Sequence, residues 1–434
     1  MSWRNLRRES REAGFTLVEV IVALSAGLLV SAAAYTLALN AMKSFQDESR
    51  IATSQVAVSI ALSRLQGDVQ RAGYMASPNI ALDPNRCSTV NPASAPILAV
   101  QVAPGGSALP ATFGYAAVAN PNIEQPDMLI VTGNMSSSEQ FEYRSIDDTG
   151  RVYLSMNRGP VVRLLAELGM NEDAVEAVFV PTQAGAVVGS RFARVVSATG
   201  KHSYVVVTNA EANLGVPGSE SITLTVEGPG GATLSSLSNL ECGFVNRGTG
   251  LINPVSVIRY RIGQLPVTSP YVAALAPTGD DRVTGESVRA ELLREELTPA
   301  AAVAAARWNP NLILDTAALV NNAQLSSQEI VSEFAVDFDL SAVYAFSPAD
   351  LRLVPFGNAA APGLDDVEPQ DFRSLRVRVA TRARFPDRDE TGPDDVVTRF
   401  LIPALDTSGT RLKYARVRTL TSEIQLPNLA GVTW

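Results

Sequence analysis

From Val20 to Met42 the sequence runs 23 residues without a charge. As a helix that stretch is about 35 Å long, enough to cross a hydrocarbon core of ~30 Å. The residues before it are polar and carry Arg4, Arg7, Arg8 and Arg11 against Glu9 and Glu12, while Lys43, Asp47, Glu48 and Arg50 follow. The arginine excess keeps the N-terminus in the cytoplasm and sends the remaining chain outward. This pattern predicts a single membrane span with a large exported domain. Beyond the span there is no proline from Lys43 to Ala72, and Ile51, Val58, Leu62, Leu65 and Val69 recur at helical spacing among polar residues. That is the stripe of a helix lying on something apolar, and Gly73 supplies a stop. Residues 15–72 therefore read as one helix, with 15–42 in the membrane and the second half packed on a globular head over 73–434. Gly27 and Gly67 are either flexible points or close-packing positions.

In the head the alternation changes to period two. Leu375, Val377, Val379, Thr381, Ala383 and Phe385 alternate with Arg376, Arg378, Ala380, Arg382 and Arg384, which predicts a strand with one buried face and one arginine face. Upstream, Phe334, Val336, Phe338 and Leu340 alternate with Glu333, Ala335, Asp337 and Asp339. An acidic outer face beside a basic one predicts neighbouring antiparallel strands with cross-strand ion pairs. Further strands are expected at Met128–Val131, Val152–Ser155, Tyr204–Val207, Ile222–Val226, Val255–Ile262 and Tyr414–Ile424, and helices over 161–176 and 286–307. The fold class is α+β, with one antiparallel sheet packed on the amphipathic half of the long helix.

Composition narrows the chemistry. The chain has 434 residues, 46% of them hydrophobic and 18% charged, which is ample material for a core and argues against wholesale disorder. The net charge of −9 disfavours nucleic acid as a partner. Losing residues 1–14 would remove four arginines and two glutamates, leaving −11. A single histidine, His202, removes most zinc and histidine-base chemistry, and its neighbours Lys201 and Ser203 suggest a surface position. No phosphate-loop, zinc-protease or nucleophile-elbow motif occurs. Gly228-Pro229-Gly230-Gly231 reads as a tight turn. The cluster Asp387, Asp389, Glu390, Asp394 and Asp395 lacks calcium-loop spacing and reads as a solvated acidic loop. The arginine face of 375–385 could bind anions, but the nearby acidic strand favours structural ion pairing. No catalytic residue, cofactor or metal is expected. Cys87 and Cys242, the chain's two cysteines, suffice for one bridge in an exported head, worth ~4–5 kcal/mol for so long a loop. Two unpaired thiols are the alternative.

Glu19 is the anomaly of the first helix. A carboxylate one turn inside a span costs ~2.5–3.5 kcal/mol on insertion scales, so it calls for a partner. Cleavage after Gly14 would create one, the amino group of Phe15, four residues away on the same helical face. A neighbouring subunit's amino group would serve equally and would fix the axial register of packed helices. An ordinary secretory signal cut within Ser31–Ala34 is a competing reading, although the apolar run continues to Met42. A plain anchor is another, and it leaves Gly14 and Glu19 unexplained.

Gly14-Phe15-Thr16-Leu17-Val18-Glu19 before an apolar stretch resembles the class III signal of type IV pilins and type II secretion pseudopilins. The resemblance implies cutting after Gly14 by a prepilin peptidase, methylation of Phe15, and Glu19 as the assembly carboxylate. Within the family, the order of Gln70-Arg71-Ala72-Gly73-Tyr74, Pro126–Val131, Leu375–Arg382 and Tyr414–Leu426 is similar to the PilW-like minor pilins, relatives of the J-type minor pseudopilins. It is thin across about 160–330, which reads as a large insertion. The implied role is a non-enzymatic minor pilin that initiates or caps a type IV pilus in a tip complex. Its implied partners are other minor pilins, the major pilin, prepilin peptidase and the inner-membrane assembly platform. The precursor would sit in the inner membrane with its head in the periplasm, then enter the pilus at the cell surface. Alternatives are a type II secretion pseudopilin and an adhesin or ligand-binding module carried by the insertion.

Overall fold

The computed structural model of the chain describes residues 15–80, 83–87, 97–105, 126–183, 186–187, 189–216, 218–228, 244, 248–263, 290–299, 325–347, 350–355, 371–383, 399–402 and 413–429. One helix of 54 residues, α1 (Leu17–Gln70), opens the fold. The chain divides into two compact units, Met1–Thr53 and Ser54–Trp434. In the first unit, α1 over Leu17–Met42 has a mean hydropathy of 2.2 and buries none of it.

The second unit begins with the remainder of α1 and continues through β1 (Val100–Ala103), β2 (Met128–Gly133), β3 (Phe141–Ile146) and β4 (Arg151–Leu154). Two short helices follow, α2 (Gly159–Glu167) and α3 (Glu172–Phe179). Then come β5 (Thr182–Gln183), β6 (Ala186–Val187), β7 (Arg191–Val196), β8 (His202–Asn213), β9 (Ser221–Glu227), β10 (Gly250–Gly263), β11 (Glu291–Leu297) and β12 (Leu325–Ser332). The unit finishes with β13 (Ala335–Ser347), β14 (Asp350–Pro355), β15 (Phe372–Arg382), β16 (Arg399–Ile402) and β17 (Lys413–Gln425).

The α+β class with an antiparallel head holds, but the head has more layers than the single sheet expected. One sheet runs β14-β13-β15-β17-β16. A second contains β1, β2, β10, β11 and β12, with the C-terminal part of β10 between β2 and β11. The N-terminal part of β10 does something else: it pairs with β3 on one side and β7 on the other. Because β3, β4, β9, β8 and β7 are joined in that order, this closes a six-stranded antiparallel barrel. Closure leaves the barrel no open edge. The regions 161–176 and 286–307 also depart from expectation. The first is two helices, with Asn171 capping α3 through Ala174 N–H at 3.1 Å. The second contains the strand β11, and residues 300–307 lie outside the described residues.

Two apolar clusters follow this division. Val58, Ala61, Leu65, Val69 and Ala72 of the helix and its end pack with Val131, Ile258, Tyr260, Phe338, Val377 and Ile424, so these two sheets share one core with α1. The barrel interior is separate, built on Phe141, Val152, Val205, Leu224 and Ile252 together with Val161 of α2 and Phe179 of α3. Phe141 and Phe179 meet edge to face at 4.9 Å.

The end of α1 is tied directly to β2. Gly73, at φ +73, donates its N–H to Thr132 O at 2.9 Å, and Asn134 N–H reaches Tyr74 O at 2.9 Å. A side chain on Gly133 would run into the carbonyl oxygen of Arg71, so the helix end approaches this strand as closely as only glycine permits. The two motifs at 70–74 and 126–131 thus lie at one junction.

Candidate functional site

The processing region is built by a local helix start. Thr16 precedes the first helical residue, and its N–H and hydroxyl both donate to Glu19 Oε2, at 2.9 and 3.0 Å. Glu19 N–H returns a bond to Thr16 Oγ1 at 3.3 Å. Thr16-Leu17-Val18-Glu19 is therefore a reciprocal capping box, with a negative charge at the positive end of the helix. Phe15 is 86% exposed and lies outside the helix, so the expectation that it shares a helical face with Glu19 is corrected: the cap stops the helix before it. Gly14 lies outside the described residues. Thr16 was not singled out from the sequence, although its T-x-x-E spacing is the signal that could have found it.

Farther along α1, Asp68 is buried at 6% exposure and holds two partners from the sheet. Tyr260 Oη donates to its Oδ2 at 2.7 Å and Arg294 Nε at 2.6 Å. Burial and the adjacent carboxylate push the Tyr260 hydroxyl far above its ordinary range. On the neighbouring part of β11, Glu295 is fully buried and receives Arg259, Arg261 and Gln328. Glu296 pairs with Arg191 through two bonds of 2.7 and 3.1 Å. These groups explain why an Ala/Glu-rich segment forms a strand: ion pairs with β10 and β7 override a modest helix propensity.

His202 is not a surface residue. It is completely buried, and its Nε2 meets Asp83 Oδ2 at 2.9 Å. The same oxygen accepts the Ser77 hydroxyl at 2.7 Å, while Asn85 N–H reaches Oδ1 at 2.9 Å. Burial, with help from the Arg194 charge, lowers the imidazole to about 4 against the pull of Asp83, so the ring is neutral near pH 7. Ser77 and His202 both bond the carboxylate rather than each other, and both are buried, so they are not arranged as a nucleophile and its base. What they do is pin 83–87 along β8: His202 N–H donates to Asn85 O and Cys87 N–H to His202 O, each at 2.9 Å. Cys87 is buried and its sulfur is in a disulfide. Cys242 lies outside the described residues.

The arginine strand β15 is partly corrected. Arg378 reaches Asp337 at 2.8 Å and Asp339 at 3.5 Å across the predicted strand pair. Arg382, expected on the outer face, is buried, donating to Ala383 O at 3.1 Å with its guanidinium 5.0 Å from the Phe334 ring centre. A register shift between Ala335 and Asp337 accompanies this change of face. Arg384, Phe385, the acidic loop at 387–395 and Pro229–Gly231 lie outside the described residues. Among the described residues, no group of three His, Cys, Asp or Glu side chains is placed to hold a metal ion.

Residues 10–35 match the family model of the prokaryotic N-terminal methylation motif. No curated protein matches the chain, and no solved structure does. The matched segment holds the capping box and the start of the apolar helix, and it is the signal of type IV pilin-like proteins, which implies processing by prepilin peptidase and membrane assembly with other pilins.

Proposed function

We propose that the chain is a non-enzymatic minor pilin of the PilW-like kind, which initiates or caps a type IV pilus as part of a tip complex. The observation that carries this reading is the pairing of a methylation motif with an apolar helix that buries nothing in its own chain, followed by a large head. A helix hydrophobic on every face needs lipid or other helices around it. Cleavage after Gly14 frees the Phe15 amine, and burial of Phe15–Met42 among sister helices then neutralises Glu19. The disulfide at Cys87 suits a head in the oxidising periplasm and later on the pilus.

A second reading, an adhesin or ligand-binding module, is favoured by the barrel, which has an apolar interior of its own beside the core shared with α1. Filament counts in a strain lacking the chain separate the readings. Few filaments, restored by the whole chain, supports the minor pilin. Normal filaments with lost attachment favours the adhesin. Normal filaments with blocked protein secretion points to a type II secretion pseudopilin.

A further inference from the structure

The two sheets that share a core with α1 meet at Asp127, immediately before β2. Its backbone N–H donates to Phe338 O at 2.7 Å, and its Oδ2 accepts the Leu340 N–H at 2.9 Å. Strand β14 pairs with β13 over Ser341–Ser347. Asp127 thus continues that edge of β13 where β14 stops, with a side-chain oxygen in the place of a strand carbonyl. Its other oxygen, Oδ1, accepts the N–H of Gly105, just after β1, at 2.9 Å. One buried carboxylate, 7% exposed, therefore ties the end of β1 in one sheet to β13 in the other.

The charged groups around it are mostly acidic. Asp337 and Asp339 lie on β13, and Arg378 of β15 reaches them at 2.8 and 3.5 Å. Arg261 stands opposite Met128 on β10 and is engaged by Glu295. Burial raises the Asp127 carboxyl to about 7, against the pull of its two N–H bonds and with help from the charges of Asp339 and Asp337. Ionised, the group can accept on both oxygens. Protonated, one oxygen carries the hydrogen and becomes a poor acceptor.

We infer that Asp127 is a pH-sensitive clamp between the two sheets: ionised, it grips Gly105 and Leu340 with one oxygen each, and protonated, it lets one of them go. The junction therefore tightens as pH rises through neutral. Global stability falls over the approach to that point, because the unfolded carboxyl ionises from ~3.8 and the folded one only near 7. Local grip and resistance to unfolding run in opposite directions, which separates the clamp from a general response of the head.

The test is hydrogen exchange of the full chain in detergent micelles, read by mass spectrometry with fragmentation that resolves Gly105 and Leu340. Rates are divided by those of an unstructured reference at each pH, which removes the intrinsic pH dependence of exchange. From about pH 5.5 to 8.5, protection of one of these two amides is expected to rise about fivefold, in keeping with one hydrogen bond. The midpoint should lie near 7, and amides of β9 in the barrel should show none. Asp127→Asn cannot ionise and should be flat across the range. Arg378→Ala removes a partly exposed cation from beside Asp337 and Asp339, so its midpoint should move upward. Constant protection of both amides in wild type overturns the clamp. So does a midpoint that persists in Asp127→Asn, or one shared by β9. An unmoved midpoint in Arg378→Ala overturns it whether or not Asp127→Asn folds.

Discussion

Helix α1 carries two carboxylates in opposite circumstances. Glu19 is held by local bonds to Thr16, in a stretch that buries none of its residues. Asp68 sits 49 positions later, buried, with Tyr260 and Arg294 as partners from β10 and β11. The same contrast runs through the apolar residues: Leu28 is 71% exposed, Leu65 fully buried. One helix thus uses its hydrophobic surface in two ways. Around 54–70 it packs into the core of the head; over 17–42 it buries none of its residues. Substitutions should therefore separate stability of the head from membrane and filament behaviour.

The largest expected effect is at Asp68. Asp68→Ala leaves the Arg294 charge buried without its closest partner and the Tyr260 hydroxyl unpaired, and should cost ~3–5 kcal/mol in urea unfolding of the full chain followed by the β-sheet circular dichroism signal. Glu19→Ala should leave that transition within ~0.5 kcal/mol of wild type, because Glu19 is exposed and its bonds are local ones to Thr16. Equal losses at the two sites would break the contrast.

Leu65→Ala comes next, at ~2–5 kcal/mol, since it opens a cavity between α1 and both sheets. Leu28→Ala should be silent in the same unfolding assay and show its effect only in membrane retention or filament incorporation.

A third effect depends on pH. His202 has its folded value lowered to about 4, below the ordinary ~6.5 of the unfolded chain, so its contribution is complete above ~6.5 and is lost as pH falls through about 4. The penalty on acidification is on the order of 2–3 kcal/mol. Asp127 slopes the other way. Burial raises it to about 7, so its stability is complete below ~3.8 and is lost as pH rises through about 7. His202→Gln keeps a donor for Asp83 and cannot be protonated near pH 4. Its stability should therefore rise relative to wild type as pH drops from 6.5 to 4.5, measured as the midpoint of urea unfolding at each pH. A parallel course for both proteins would contradict the buried neutral imidazole.

The smallest effect is expected at Arg378→Ala, under ~1 kcal/mol, because its pairs with Asp337 and Asp339 are partly exposed.

These pairs also show what was legible in the sequence. The helix and the β13–β15 pairing could be read because their signals are local: an uncharged run, a helical stripe, and two alternations of opposite charge. The capping box was equally local, written in Thr16 and Glu19. His202 was misread because the residues beside it are polar, whereas its burial depends on Asp83, far away in sequence. Segment 291–297 looks helical by residue type and becomes a strand through partners on β10 and β7. Barrel closure rests on β10 pairing with β3 at one edge and β7 at the other, and no local pattern encodes two long-range registers in one strand.

The most direct measurement is the intact mass and N-terminal sequence of the chain taken from membranes, with and without prepilin peptidase. A chain that starts at Phe15 only when the peptidase is present is the predicted result. An uncut Met1 in the presence of the enzyme, or a start near Tyr35, would contradict it.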